Sequence, residues 1–494
     1  MQTSLSNLIR DLVHYDGIDI EIQGITQDSR QVGAGVLFLA LPGLRVDGRS
    51  FIAGAIEKGA GAVLYENGDG YELPQAFSSA KIPLIGVSDL SAKIGWIASR
   101  FYHHPSEKMT VIGVTGTNGK TSVTQFIAQA LAAQQQQCAV IGTLGKGFLP
   151  HLQSTGFTTP DAIELQKDLA ECVAQGADRV AMEVSSHSLS QSRVEGIDFD
   201  IAVFTNLTQD HLDYHITMDN YGAAKARLFQ FPSITCAIYN GDDAFGLKLL
   251  AQHPSHAKAL VYSTQPAMDV DCPAVIAEQI TATAQGFIID VKTPWGKGRI
   301  RSSLLGRFNI SNLLAVLSVL GALKCPLTAI INALEQLQPV IGRMQSFGGA
   351  PGQPRVIVDY AHTPDALLQA LTSLREHHPQ KLWCVFGCGG DRDRGKRPQM
   401  GAIASQHSDY IVLTNDNPRS EPPEQIAAEI QAGISGNHST HIELDRAAAI
   451  AYAIHSAGPD DIVLIAGKGH ETEQILKTET IPFSDIKIVQ RLLS

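Results

Sequence analysis

The stretch Val111-Ile112-Gly113-Val114-Thr115-Gly116-Thr117-Asn118-Gly119-Lys120-Thr121 runs from an apolar strand end through a glycine-rich turn into Lys-Thr. Glycines let successive backbone N–H groups converge on phosphate oxygens, a lysine adds a mobile positive charge, and the hydroxyl after it can ligate Mg²⁺. Gly116, Thr117, Asn118, Gly119, Lys120 and Thr121 therefore read as a nucleotide-phosphate cradle opening a helix. The strict Walker spacing is not met, because the position that needs the first glycine is Val114, with Gly113 and Gly116 on either side. The loop is a variant, and the rest of the chain must say which.

From about residue 109 to 338 strand and helix patterns alternate: a strand to 114, a helix from Lys120, a strand at 139–143, a helix at 161–175, and strands at 179–184 and 201–204. Such alternation predicts a parallel sheet with helices on its faces. A strongly apolar helix over 309–323 follows, and Gln338-Pro339 closes the segment. Before it, short β-rich runs at 36–40, 62–65 and 82–87 with a helical pattern at 51–58 make a small α/β unit. An amphipathic helix over 89–104 then ends at Pro105-Ser106. After residue 340, apolar strands at 356–358, 382–386, 410–413 and 462–465 each end in a polar or glycine-rich loop: DYAHTPD, GCGGDRDRGKRP, TNDNPRSE and AGKGHE. Carboxyl-end loops of an open parallel sheet share one edge, so these four converge on one cleft. The expected architecture is α/β in three domains, 1–90, 91–339 and 340–494.

A chain of 494 residues exceeds what one core organises. Its 44% hydrophobic and 18% charged residues are those of a globular protein, and its net charge of −11 argues against a general nucleic-acid or anionic-membrane binder. Arg10 and Asp11 interrupt the first apolar stretch, so no signal peptide is read and a cytoplasmic location is expected. The charge-free stretch 121–145 is broken by Gln134 to Gln137 and glycines, and reads as helix, polar exit and strand, not as a membrane span. Seven cysteines, scattered and odd in number, fit reduced thiols; the nearest pair, Cys384 and Cys388, reads as packed side chains.

Glu183 emerges from a buried strand in the same sheet as the P-loop, where nucleotide-bound Mg²⁺ is usually met, and is the first metal candidate. Standing alone it would be a solvated strand-end glutamate. The strand at 201–204 exits into Thr205-Asn206-Leu207-Thr208-Gln209-Asp210-His211-Leu212-Asp213-Tyr214-His215, where two histidines and two aspartates are costly to bury without partners. His211 is read as a second Mg²⁺ ligand or as a group that orients a substrate. Lys225 alone would be an ordinary helix-surface lysine.

Taken in order, Thr115 to Thr121, Glu183-Val184-Ser185-Ser186-His187, Asn206 with Asp210 to His215, Lys225, Gly306 to Asn309 and Asp359-Tyr360-Ala361-His362-Thr363-Pro364 resemble the Mur ligase family across nearly the whole chain. The resemblance implies a UDP-binding N-terminal domain, a central ATPase domain and a Rossmann-like C-terminal domain that binds an amino acid. It implies ATP-dependent amide-bond formation in cytoplasmic peptidoglycan precursor synthesis: a carboxylate of a UDP-N-acetylmuramoyl dipeptide becomes an acyl phosphate that an amine attacks. Phosphoryl transfer depends on neutralising charge. The resemblance gives that task to Lys120 and two Mg²⁺ ions, with Thr121 and Glu183 at the first and His211 at the second, and it implies that Lys225 is carbamylated.

The segment Thr26-Gln27-Asp28-Ser29-Arg30 is similar to the family's uridine site, which carries over to Gln27 and Ser29, with Leu44, Arg45 and Val46 as the adjacent loop. Thr158, Thr159, Ser185, Gln191 and Arg193 match positions that hold the muramoyl dipeptide, although Phe157 stands where a polar residue is expected. Asn309 resembles an adenine-side asparagine and Arg343 an arginine that reaches the nucleotide. Asp416-Asn417-Pro418-Arg419 matches the diaminopimelate-adding members, because a guanidinium fork suits the additional carboxylate of meso-diaminopimelate. Arg392, Gly467 and Glu471 match the remaining positions, Glu471 for the distal ammonium. A lysine-adding relative, a folylpolyglutamate synthase and a non-catalytic nucleotide- or UDP-sugar-binding regulator are the alternatives. Nucleic acid and membrane insertion are not expected.

Overall fold

Apolar runs that end in glycine-rich or polar turns build three main sheets in chain order in the computed structural model, which describes residues 2–43, 46–77, 80–283, 286–377, 379–436 and 439–494. In the first, Gly24–Thr26, Val36–Ala40, Ala62–Glu66 and Leu84–Val87 pair in sequence order, all parallel. Parallel strands joined by crossovers are covered on both faces. Leu37 and Leu39 pack with the helices Leu5–Ile9 and Leu90–Phe101, while Phe38 and Ala40 face the helix Ile52–Glu57. The buried Glu66 carboxylate receives the N–H groups of Asp89 and Leu90 at 3.0 and 2.7 Å, an anion at a helix N-terminus. The helix Leu90–Phe101 packs into this first core, and Ala162 and Ile163 of the second unit join it. A Cβ on Gly95 of this helix would lie 1.9 Å from the Glu195 carbonyl oxygen, so glycine lets the first unit's backbone touch the second's.

Among the described residues the central sheet has eleven strands, and the P-loop strand Thr110–Thr115 lies between Arg179–Glu183 and Ile201–Phe204. Cys138–Gly142 flanks one side; Cys236–Asn240, Lys258–Ser263 and Ala274–Thr283 continue the other, all parallel. Antiparallel strands complete both edges: the hairpin Gly145–Phe148 and His151–Gln153, and the ribbon Gly286–Thr293 with Gly296–Ser302. The chain leaves the P-loop strand in one direction and returns on its other side, which makes the carboxyl edge beside it a topological switch point. The helix Phe308–Ala322 is buried on nearly every side against this sheet and the P-loop helix, as its apolar sequence requires.

The third sheet runs in the order Gln345–Gly348, Arg355–Asp359, Ile462–Ala466, Leu382–Phe386, Tyr410–Leu413, Ser439–Ile442, antiparallel only at Gln345–Gly348. Its four chemically rich loops leave the same edge, as the strand pattern predicts, and that edge faces the P-loop. All seven cysteines are free thiols. No helix among the described residues is long and apolar enough to cross a membrane.

Candidate active site

Gly116 and Gly119 turn the P-loop at φ of 146° and 88°. A Cβ on Gly116 would lie 1.8 Å from Thr205 Oγ1, so no side chain fits. Asn206 braces the loop: its carbonyl receives the N–H of Thr117 at 2.8 Å and its Oδ1 that of Asn118 at 2.9 Å. The helix Lys120–Ala132 then begins without a side-chain cap hydrogen bond, which leaves its N-terminus ready for an anion. Lys120 Nζ folds back onto the carbonyls of Gly116 and Thr117 at 2.8 and 2.9 Å. Burial lowers its pKa against the opposing pull of Glu183 and Asp210.

The Gly116 carbonyl oxygen has a second lysine on it. Lys225 Nζ donates to it at 2.8 Å and lies 4.3 Å from the centre of the Tyr221 ring, with only 1% of the residue exposed. Burial first, and the Lys120 ammonium second, drive the Lys225 pKa well below its usual 10.5. The surface lysine that the residue pattern alone suggests is thus a buried amine held toward its uncharged form.

Glu183, also buried, accepts from Thr121 Oγ1 at 2.9 Å, from the Thr143 N–H at 2.8 Å and from Thr143 Oγ1 at 3.2 Å. Thr158 Oγ1 is 3.0 Å from Thr143 Oγ1, and Thr159 donates to the Glu183 carbonyl at 2.9 Å. Arg193 donates to the Thr159 carbonyl at 3.1 Å and to Gln191, whose amide reaches the Tyr214 hydroxyl at 3.1 Å. Ser185 caps the short helix Ser186–Ser190 through its Oγ. The expected dipeptide positions therefore form one connected network beside the glutamate, with Phe157 62% exposed at its margin.

His211 stands apart from the Thr121–Glu183 pair, in a ring cluster. Its centroid lies 4.9 Å from that of His187, which packs on Tyr214 at 4.3 Å and His215 at 5.4 Å. Asp210 lies 3.3 Å from His211 Nε2. Burial and the neighbouring His211 push the His187 pKa down to about 4, and burial also lowers that of His211. Among the described residues no group of three or more His, Cys, Asp or Glu side chains is arranged to hold a metal.

Arg343 reaches from the third unit to Thr121 Oγ1 at 3.5 Å and stacks its guanidinium 4.4 Å from the centre of the Tyr360 ring. Asn309 lies below the nucleotide cleft, donating to the Leu305 carbonyl at 2.7 Å and accepting from Asn312 at 2.9 Å. Asn312, one helical turn on, lines the 370 Å³ cleft beside the P-loop. An adjoining 580 Å³ cavity is lined by Arg392, Asp416, Asn417, Arg419, Gly467 and Glu471, six of the expected amino-acid positions. Pro418 sits behind them, its carbonyl so near Gly390 that a Cβ there would lie 1.9 Å away. Asn417 donates to Glu471 at 3.0 Å, and Arg419 donates to the Gly390 carbonyl at 2.8 Å.

Two residues missed in the sequence hold this pocket together. Lys468, fully buried, bridges Asn417 Oδ1 at 3.0 Å and Glu471 Oε2 at 2.7 Å. Arg446 pairs with Asp485 and donates to the carbonyls of Asn415 and Ala466, tying two pocket loops together. Of the basic run near Arg392, Arg394 and Arg397 are spent on Glu421 and Glu429. In the first unit Gln27 and Val46 are exposed and Ser29 is half-buried; Leu44 and Arg45 lie outside the described residues.

A nucleotide cleft opening into a pocket for a charged small molecule suits activation of a carboxylate by ATP and its transfer to an amine. The fold and site define an ATP-dependent amide-bond-forming ligase. Residues 21–102 match the model described as Mur ligase family, catalytic domain; 114–320 match the Mur ligase middle domain; and 342–469 match the Mur ligase, glutamate ligase domain. The chain belongs to the Mur ligase family. It is 52% identical over 475 residues to a protein of Coxiella burnetii, and 48% identical over 477 residues to one of Pseudomonas aeruginosa, with 96% of each chain covered in both cases. Both are named UDP-N-acetylmuramoyl-L-alanyl-D-glutamate--2,6-diaminopimelate ligase. A solved structure of that name superposes with a TM-score of 0.72 at 38% identity, covering 100% of this chain and 99% of the other.

Proposed function

We propose that the chain joins meso-2,6-diaminopimelate to the free D-glutamate carboxylate of UDP-N-acetylmuramoyl-L-alanyl-D-glutamate, through an acyl phosphate made with ATP, in cytoplasmic peptidoglycan precursor synthesis. The observation that carries this reading is the cavity beside the nucleotide cleft, where Arg419 and Glu471 set a cation and an anion on one wall. A zwitterionic amino acid with an additional carboxylate and ammonium at its far end is the complement of that wall. Gly116 to Thr121 and Arg343 take the phosphates; Asn309 acts on the nucleotide side through Asn312. Thr158, Thr159, Ser185, Gln191 and Arg193 hold the dipeptide, and Gln27, Ser29 and the 44–46 loop hold the uridine end.

Thr121 Oγ1 and Glu183 Oε2, hard oxygen donors 2.9 Å apart, fit Mg²⁺, with His211 for a second ion. When bound, Mg²⁺ supplies charge neutralisation on the phosphates. Lys120 adds a positive charge at the end of the P-loop. The Lys225 amine, which burial holds toward its uncharged form, is suited to attack CO₂: the nitrogen lone pair forms the C–N bond, a proton leaves to water, and the carbamate anion remains.

The test is ADP release and product formation with the UDP-linked dipeptide, ATP and either meso-diaminopimelate or L-lysine. Strong preference for diaminopimelate is expected. Equal turnover with the two amino acids would refute the specificity, and product from neither would refute the ligase assignment.

A further inference from the structure

The two cavities meet at one loop. Tyr360, His362 and Asp365 line both the 370 Å³ nucleotide cleft and the 580 Å³ amino-acid pocket, and among the described residues His362 is the histidine common to both. In the reaction proposed above, on which this inference rests, the acyl carbon lies where the last phosphate of the nucleotide and the incoming amine meet. His362 Nδ1 is 2.8 Å from the Tyr360 carbonyl oxygen. A carbonyl only accepts, so Nδ1 carries the ring proton and the lone pair of the neutral imidazole sits on Nε2. Burial, helped by Lys396 and Arg343 and opposed by Asp210, holds the ring toward its uncharged form. Among the described residues those three groups, His470 and Tyr360, whose ring centre lies 4.6 Å from that of His362, are the charged and titratable side chains around it; Lys396 Nζ also donates to the His362 carbonyl at 2.9 Å. The other two shared residues are poorer bases: Tyr360 is pushed up to about 12 by burial, and Asp365 Oδ2 is taken by Asn118 Nδ2 at 3.2 Å.

We propose that His362 is the general base of amide formation, its Nε2 accepting the proton of the attacking amine. The ammonium of the amino acid first loses one proton to water. The amine lone pair then forms the C–N bond, the carbonyl π pair moves to oxygen, and Nε2 takes the second proton. Collapse restores the C=O bond and breaks the C–O bond to phosphorus, and the departing phosphate carries away that electron pair and receives the proton from Nε2.

The experiment uses the full-length protein with His362→Asn, whose amide nitrogen replaces the Nδ1 donor, and His362→Gln, which places an amide near Nε2. Both should still release ADP from ATP and the UDP-linked dipeptide in a single turnover without amino acid, with any loss there smaller than the loss of amide formation. Amide formation with diaminopimelate should fall by about 10²–10⁴-fold, and the acid limb of its pH profile should disappear. Hydroxylamine, whose nitrogen is a much stronger acid once it has attacked and can give that second proton to water, should still give hydroxamate. Amide formation within about threefold of wild type, loss of hydroxamate along with the amide, or loss of the ADP burst in both variants would overturn the proposal. Failure of the wild-type enzyme to release ADP would instead strike at the ligase reading.

Discussion

Replacing Arg446 by methionine should cost the C-terminal unit about 3–5 kcal/mol, because it leaves a fully buried carboxylate without its counter-ion. Arg446 and Asp485 are both 0% exposed and joined by two hydrogen bonds of 2.8 and 2.7 Å. The same guanidinium serves the Asn415 and Ala466 carbonyls at 3.1 and 3.0 Å, and orphaning these pushes the cost toward the upper end of that range. Arg397 is equally buried, but its partners Glu421 and Glu429 are 17% and 26% exposed and rehydrate on its loss, so Arg397→Met should cost less. Urea unfolding followed by tryptophan fluorescence isolates the relevant transition. Trp383 is 6% exposed and stacked 4.1 Å from Tyr410 in the C-terminal core, whereas Trp96 and Trp295 are each 39% exposed and change less on unfolding. Arg446→Met with Asp485→Leu should recover most of the loss, since an apolar pair of similar volume needs no counter-ion. The reasoning fails if the single variant lies within about 1 kcal/mol of wild type, or if the double variant is no more stable than the single.

Lys468→Met should raise the KM for diaminopimelate while leaving that for ATP unchanged, by the roughly 2–5 kcal/mol expected when one partner of a buried charge pair is truncated. An unchanged KM would show that Asn417 and Glu471 hold their positions without it. At Lys225 the folded chain binds fewer protons than the unfolded one between its lowered pKa and 10.5, so this residue makes stability rise with pH across that interval. Lys225→Met should flatten that part of the curve and abolish a carbamate resonance seen with carbon-13 bicarbonate; an unchanged slope would mean that the amine is charged in the fold.

The parallel strands and their carboxyl-end loops are legible in the sequence because each short apolar run is bounded by turn chemistry, and a parallel sheet aligns such loops on one edge whatever the strand order. The antiparallel strands Ala274–Thr283, Gly286–Thr293 and Gly296–Ser302 are not legible in the sequence, since strands such as Ala274–Thr283 carry exposed polar residues along much of their length and lack the continuous apolar signature. At the site, residues on the P-loop and on strand ends could be assigned locally. Lys468 and Arg446 could not: a lysine in a glycine-rich loop looks solvated, and the partner that buries Arg446 lies 39 residues away. Asn309 and Asn312 are indistinguishable by composition, and only the helix orientation turns one toward the core and the other toward the cleft.

The carbonyl of Gly116 accepts both Lys120 and Lys225, and that acceptor belongs to the main chain. No codon change can delete a backbone oxygen, so the meeting point of the two lysines is immune to the substitutions that erode side-chain networks during evolutionary drift. The vulnerability moves to the turn itself, because a β-carbon at Gly116 would lie 1.8 Å from Thr205 Oγ1 and strain the turn that presents the oxygen to both amines. Variant libraries of this chain should therefore show a void at Gly116 as sharp as those at Gly119, Lys120 and Thr121, although Gly116 offers no side chain to the phosphates.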